Sequence, residues 1–328
     1  MTSAHACSRS FFLFATYYFT KFFTFRPAPF HEAFYDDFQA LVTGESKDAA
    51  WIAYRESAKA SIAKIGLAWI IARKQVIDAL RNAGEDVGAW GQRLYVNVDS
   101  YDKANAESIF FDVVTELQGN ELLFADFGHL YNQPRTKDQA QLKRISNFVT
   151  ANGIRVEAHT ALTPMRGRLY QQFRPDFILR DDLENAITAE SPAVTEKIIR
   201  LLDEARGGMA AHGASLTLGN YIKEEGVIGY IRRSVTTSGG AVRFIPVSSK
   251  DGVSWPDKYV LTDAEAVKAN AKIPDPTKRM ISLESKEREL NAGGRRVYEV
   301  EMMLDPVAAG SPFFDRVIID ELLVLLSR

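Results

Sequence analysis

Two short stretches of this 328-residue chain carry side chains whose types and spacing could act on a phosphorylated ligand. The first is Ala53-Tyr54-Arg55-Glu56-Ser57-Ala58-Lys59-Ala60-Ser61. An apolar run, Ala49–Tyr54, precedes the loop and predicts a buried strand. From Ala58 on, Ile62, Ile65, Trp69 and Ala72 recur at helical spacing. Strand, tight loop, lysine and helix make the layout of a phosphate-binding loop. There the N–H groups at the helix start face the phosphates and the lysine reaches the outer ones. The usual pattern is G-x-x-x-x-G-K-[ST]. Here Ala53 and Ala58 replace the glycines, and Ala60 stands where a magnesium-binding hydroxyl belongs. Ser61 lies one residue on, roughly 100° further round a helix. An ordinary strand–turn–helix reads the same way.

The second stretch is Arg174-Pro175-Asp176-Phe177-Ile178-Leu179-Arg180-Asp181-Asp182-Leu183-Glu184-Asn185. Its apolar strand, Phe177–Leu179, delivers two adjacent carboxylates at the edge where open α/β sheets bind ligands. One carboxylate can hold magnesium while the other orients and deprotonates a water. Asp181 closes the strand and is the one placed for the metal. Asp182 is placed for the water, with Glu184 and Glu56 as alternative bases. The competing reading is a surface Asp-Asp pair that caps the next element.

The elements around these stretches alternate. Arg93–Val98 reads as a strand and Tyr101–Leu117 as a helix, with Ile109, Val113 and Leu117 on one face. This βαβα order predicts a mostly parallel sheet covered by helices. Asn152-Gly153, between two alternating runs in 148–159, predicts a hairpin with a type I′ turn. Ala193–Ala205 reads as a helix, and Ala214–Asn220 as a strand ending in small and polar residues. Phe11–Phe25 resembles a signal-peptide core, but Lys21 interrupts it and no A-x-A site follows; the reading adopted is a buried amphipathic helix. The prolines at 27 and 29 end it, and His31–Leu41 is helical again. Past Ser238 the chain loosens. Thr262 and Glu265 have capping-box spacing, and Lys286–Leu304 is a charged helical pattern. The segment 313–326 is apolar and acidic.

Composition sets outer bounds. With 46% hydrophobic and 25% charged residues the chain reads as globular, and its net charge of −2 gives no global nucleic-acid footprint. One cysteine, Cys7, excludes an intramolecular disulfide framework and agrees with a reducing compartment. Five histidines show no metal-ligand spacing.

Taken in order, these pieces resemble the ATPase part of tailed-phage terminase large subunits, the motors that package DNA into proheads. The matching pieces are Pro29-Phe30-His31, YRESAKAS as a degenerate Walker A, FVTANGIRVEAH, Met165-Arg166-Gly167, RPDFILRDDLEN as Walker B, TLGN, Trp255-Pro256 and YEVEMMLDP. The resemblance runs from about Phe22 to Pro306. It implies a P-loop NTPase fold of the RecA/ASCE kind, with a mostly parallel sheet, flanking helices and a small helical lid. It divides the chain into an adenine-side helical segment (1–45), an ATPase core (46–240) and a lid or linker (241–328). The last leads toward a nuclease domain whose place lies near where this sequence stops.

Residue roles carried by the resemblance follow the motifs. The loop Arg55, Glu56, Ser57, Ala58, Lys59, Ala60 and Ser61 would cradle ATP, with Lys59 on the β and γ phosphates and Arg55 sensing the γ phosphate. Phe30 and His31 would lie near the adenine. Asp181 would hold Mg2+, and Asp182 would be the catalytic carboxylate. Asn220 belongs to the motif that couples hydrolysis to movement, and Arg166 is a candidate trans-acting arginine. The implied partners are double-stranded DNA, a portal protein, a small terminase subunit and further copies of the chain in a ring. The implied setting is the host cytoplasm, with no membrane. Two other readings stand beside it: a helicase-like P-loop ATPase, and a nucleotide-binding remnant that no longer hydrolyses, which Ala60 favours.

Overall fold

The computed structural model describes residues 3–131, 146–294 and 296–306. Seven strands form one sheet: β1 (Asp48–Ala53), β2 (Tyr95–Ser100), β3 (Asn147–Val149), β4 (Arg155–Thr160), β5 (Phe177–Asp181), β6 (Ala214–Gly219) and β7 (Ala241–Ile245). Their order is β3-β4-β2-β5-β6-β1-β7. Every pairing is parallel except β3 with β4. β6 therefore stands between β1, which feeds the lysine loop, and β5, which ends in the acidic pair. This is the mostly parallel sheet covered by helices that the alternation of strands and helices predicts.

The strands are apolar because both faces are covered. The helices before the sheet's midpoint are α1 (Ser3–Arg9), α2 (Phe11–Tyr18), α3 (Pro29–Thr43), α4 (Lys59–Asn82), α5 (Lys103–Gly119) and α6 (Glu121–Phe127). After it come α7 (Ala186–Ala189), α8 (Pro192–Gly208) and α9 (Val227–Thr237). The largest core joins Trp51, Ala53, Val96, Val98, Phe177, Leu179, Leu216 and Leu218 to α4, whose Trp69 is fully buried. A second core puts Ala50 and Ile52 against Ile198, Leu202, Ile228 and Ile231 of α8 and α9. Alternation along β5 sends Asp181 to the α4 face, with Phe177 and Leu179, and Arg180 to the other.

Four expectations need correction. The aromatic stretch 11–25 is not one helix. α2 buries Phe11, Phe14, Ala15 and Tyr18, which share one face, and leaves Phe12, Leu13 and Tyr17 outside. The chain then leaves the helix at Phe19 for a single 3-10 turn, Thr20–Phe22. The hairpin at Asn152-Gly153 is present, but only Gly153 has a positive φ (+85°), whereas a type I′ turn needs it at both residues. Gly153 N–H closes instead on Thr150 O, and Thr150 N–H on Ile154 O, which makes a longer loop with one left-handed glycine.

The charged pattern at 286–304 is two helices, α11 (Leu283–Asn291) and α12 (Val297–Glu301), separated by Gly293-Gly294. Lastly, the sheet continues past residue 240. β7 is its edge strand, and Arg243 reaches back to Asp37 of α3 at 2.6 Å. The lid segment thus begins after Ile245.

That segment holds two small ribbons, β8 (Ser248–Ser249) with β9 (Gly252–Val253), and β10 (Tyr259–Val260) with β11 (Ile281–Ser282). Between the latter strands runs α10 (Asp263–Asn270), opened by the expected Thr262–Glu265 capping box. Its core of Val247, Trp255, Tyr259, Leu283, Tyr298 and Met302 also takes in Ala28 and Tyr54. The lid is thereby packed directly under the lysine loop. The apolar stretch 313–326 lies outside the described residues. No helix among the described residues is long and apolar enough to cross a membrane.

Candidate functional site

The site lies where β1, β6 and β5 end side by side. Register pairs Ile52 with Gly219, and Leu218 with Asp181, so the strand tips align. Two strand spacings, roughly 10 Å, separate β1 from β5. The loop from Tyr54 to Ala58 turns with two non-glycine residues in left-handed backbone, Glu56 at φ 68° and Ala58 at φ 65°. Ala58 fills the place of the motif's second glycine, and its geometry is the one that place demands. Ala53, in the first glycine's place, ends an ordinary strand and is fully buried.

Lys59 opens α4 with no side chain capping the helix start, so its first N–H groups lack intrahelical acceptors. Its ammonium is buried and donates to Ala53 O at 2.9 Å and to Asn220 Oδ1 at 2.9 Å. Burial pulls its pKa down; the charges of Asp182, Asp181 and Glu301 resist this. Ser57 is buried too, and its Oγ has no hydrogen-bond partner among the described residues.

His31 braces the loop rather than facing a ligand with a ring nitrogen. Its Nδ1 accepts from Ala28 N–H at 2.8 Å, which puts the proton on Nε2, and Nε2 donates to Ser57 O at 2.9 Å. Burial pushes its pKa down to about 4, so the ring is neutral. Phe30 packs on His31 with ring centroids 4.0 Å apart. An aromatic cavity opens beside this ring. Phe22, Phe23, Phe25, Tyr35 and Trp255 line it, and its floor is Ala58, Ser61 and Ile62 of the α4 start.

Across β6, the acidic pair splits. Asp181 is half-buried at the strand end, and burial together with the neighbouring Asp182 charge pushes its pKa up to about 6, against the pull of Lys59 and Lys64. Asp182 is exposed and left-handed, with φ 47°, so the chain turns out of the strand there. Its carbonyl accepts from Tyr101 N–H at 2.9 Å, and its carboxylate makes no hydrogen bond among the described residues. The alternative bases are both engaged. Glu184 accepts from Val227 N–H (2.8 Å) and Ile228 N–H (3.0 Å), capping α9. Glu56 is held by lid residues.

Lid contacts were invisible in the motifs. Lys286 Nζ lies 3.0 Å from Glu56 Oε1, and Lys258 Nζ lies 3.4 Å from Oε2. Tyr259 OH donates to Oε2 at 3.1 Å. Arg55 pairs with Glu301 at 2.7 Å, and Arg55 N–H donates to Glu301 O at 2.9 Å. These partners lie some two hundred residues further along the chain, and no local spacing signals them.

The structure brings together Lys59, Asn220, Asp181 and the loop. It does not bring Arg166 to them. Arg166 is exposed in the connection after β4, and β4 stands four positions from β1 in the sheet.

These groups fit a nucleotide: an uncapped helix start, an orphaned buried hydroxyl, a buried lysine and an apolar slot beside them. The carboxylate pair fits a divalent cation, which would offset the burial and the Asp182 charge that together raise Asp181. Among the described residues, no cluster of three or more His, Cys, Asp or Glu could hold a metal ion by itself.

No family model and no curated protein matches the chain. Among solved structures, it is similar to the HK97 bacteriophage large terminase, at 15% identity over 90% of this chain and 54% of that one, with a TM-score of 0.47. It is also similar to the Thermus phage P74-26 large terminase ATPase domain (14% identity, 85% and 98% covered, TM-score 0.35). A third is the DEAD-box helicase Mss116 bound to ssRNA and UDP-BeF (10% identity, 84% and 50% covered, TM-score 0.39). The chain spans about half the length of the HK97 terminase.

Proposed function

We propose that this chain binds and hydrolyses ATP, and that it does so as the ATPase of a phage terminase large subunit driving double-stranded DNA into a prohead. One observation carries the ATPase reading. The tips of β1, β6 and β5 gather Lys59, Asn220 and the Asp181–Asp182 pair around an uncapped helix start. The packaging reading rests on the order of motifs along the sequence.

In this mechanism the N–H groups at the start of α4 and the Lys59 ammonium take the β and γ phosphates. On ATP binding Lys59 exchanges Ala53 O and Asn220 Oδ1 for phosphate oxygens. That frees the Asn220 amide to report nucleotide at the end of β6. The base lies in the aromatic slot beside His31. Asp181 would hold magnesium, which neutralises charge on the phosphates when bound. Asp182, exposed and unengaged, orients the attacking water and accepts its proton. Arg55 leaves Glu301 to meet the γ phosphate. Arg166, remote from Lys59 in its own chain, serves a neighbouring copy in a ring assembled on a portal. The small terminase subunit and the host cytoplasm complete this reading.

A second reading is favoured by Ala60, which supplies no hydroxyl to the metal: a protein that binds nucleotide without turnover. The experiment is steady-state ATP hydrolysis with magnesium, with and without double-stranded DNA. Turnover that rises with DNA supports the motor. Binding without turnover selects the second reading, and RNA-selective stimulation selects a helicase-like ATPase.

A further inference from the structure

Left-handed backbone is costly for a glutamate, and Glu56 adopts it in the middle of the phosphate loop (φ 68°). Nothing within the loop explains why. The explanation lies in the lid. Lys286 from α11 and Lys258 from the turn before β10 grip the two carboxylate oxygens at 3.0 and 3.4 Å, and Tyr259 OH adds a bond at 3.1 Å. Lys258 Nζ also donates to Glu56 O at 2.9 Å, so backbone and side chain are held together. Both lysine side chains are mostly covered, at 13% exposure, which separates these pairs from freely solvated surface ion pairs. The attraction holds the Glu56 carboxyl below its ordinary pKa despite burial, so the latch is charged at neutral pH.

We propose that Lys258 and Lys286 are positioning residues for nucleotide binding: by gripping Glu56 they hold the loop in its left-handed, phosphate-ready shape. The two lysines do not touch the nucleotide. They substitute for a glycine, the residue that would take this backbone unaided. The lid thereby sets the affinity of the loop, and any movement that opens the Glu56 contacts releases the loop from its binding shape.

This inference rests on the nucleotide-binding reading, and its test separates the two. ATP affinity is measured for the parent, Lys286→Met, Glu56→Gly and the double variant Glu56→Gly/Lys286→Met. Hydrogen exchange of the 56–59 amides is followed in each without nucleotide. Lys286→Met should weaken ATP binding by up to about tenfold, the population equivalent of one strained left-handed residue. In the Glu56→Gly background the same change should do nothing, because glycine needs no latch. Lys286→Arg should restore most of the affinity. Equal losses in both backgrounds would mean that Lys286 meets the ligand itself, and no loss in the parent would mean that the latch is idle; either overturns the proposal. If the parent binds no ATP, the nucleotide reading fails alone. Exchange then decides: faster exchange in Lys286→Met but not in the double variant supports the latch, and unchanged exchange overturns it.

Discussion

Restoring either missing glycine of the phosphate loop should change stability, and in opposite directions. Ala58 lies in left-handed backbone (φ 65°, ψ 7°), where an L-residue costs about 1–2 kcal/mol. Ala58→Gly removes that cost but adds about 0.5–1 kcal/mol of chain entropy in the unfolded state. Net stabilisation of about 0.5–1 kcal/mol follows. Ala53 is fully buried in the last position of β1 and has no left-handed backbone to relieve. Ala53→Gly therefore loses one buried methyl, about 0.8 kcal/mol, plus the same entropy, for a loss of about 1.5 kcal/mol. Urea unfolding of the two variants beside the parent reads both shifts as midpoints at constant slope. If Ala58→Gly is no more stable than the parent, the loop does not hold the left-handed turn described. If Ala53→Gly stabilises, its strand-end geometry is wrong. The same pair tells which glycine of the motif a phosphate loop needs for backbone shape.

The remaining expectations concern chemistry. Asp182→Asn should abolish ATP turnover while leaving magnesium-ATP bound, whereas Asp181→Asn should weaken the magnesium-dependent part of binding; normal hydrolysis by Asp182→Asn would move the base elsewhere. Ala60→Thr should tighten magnesium-ATP binding or raise turnover, read by titration and by steady-state rate, and no change in either would show that the metal is held without this position. Stability should also carry the Asp181 titration. Its carboxyl is raised to about 6 by burial and by Asp182, so the folded state keeps a proton that the unfolded chain has lost. That contribution is complete below about pH 4 and disappears as the pH rises through 6. Urea unfolding of Asp181→Asn against the parent across that window should show the variant gaining on the parent as pH rises, and parallel curves would contradict the burial of Asp181.

What the sequence made legible was local. The strand into Ala53, the lysine that opens α4 and the acidic end of β5 could be read because each is encoded within a dozen residues by apolar runs and their breaks. The mostly parallel pairing followed from alternation, and the hairpin from Asn152-Gly153; the order of strands across the sheet did not. The turn type did not follow, since the bond between Thr150 and Gly153 selects a longer loop that the dipeptide alone does not specify. The aromatic stretch at 11–25 misled for a related reason. Every position from Phe11 to Phe14 is aromatic or apolar, so periodicity cannot show where the buried face stops. Hidden altogether were the partners of Glu56 and Arg55. Lys258, Lys286, Tyr259 and Glu301 reach the loop only because the lid folds under Tyr54, a tertiary fact with no sequence period. His31 lines the aromatic cavity where the adenine was expected, but the sequence did not show that both its nitrogens are spent on Ala28 and Ser57 as a brace for the loop.

The central claim is that Lys59 anchors a nucleotide, and the most direct test is equilibrium binding of magnesium-ATP to the parent and to Lys59→Ala, each shown to be folded by circular dichroism. The parent should bind, and Lys59→Ala should lose most of that affinity, because in the proposed site the buried ammonium is the cation that meets the outer phosphates. Equal affinity in the two folded proteins would contradict the site.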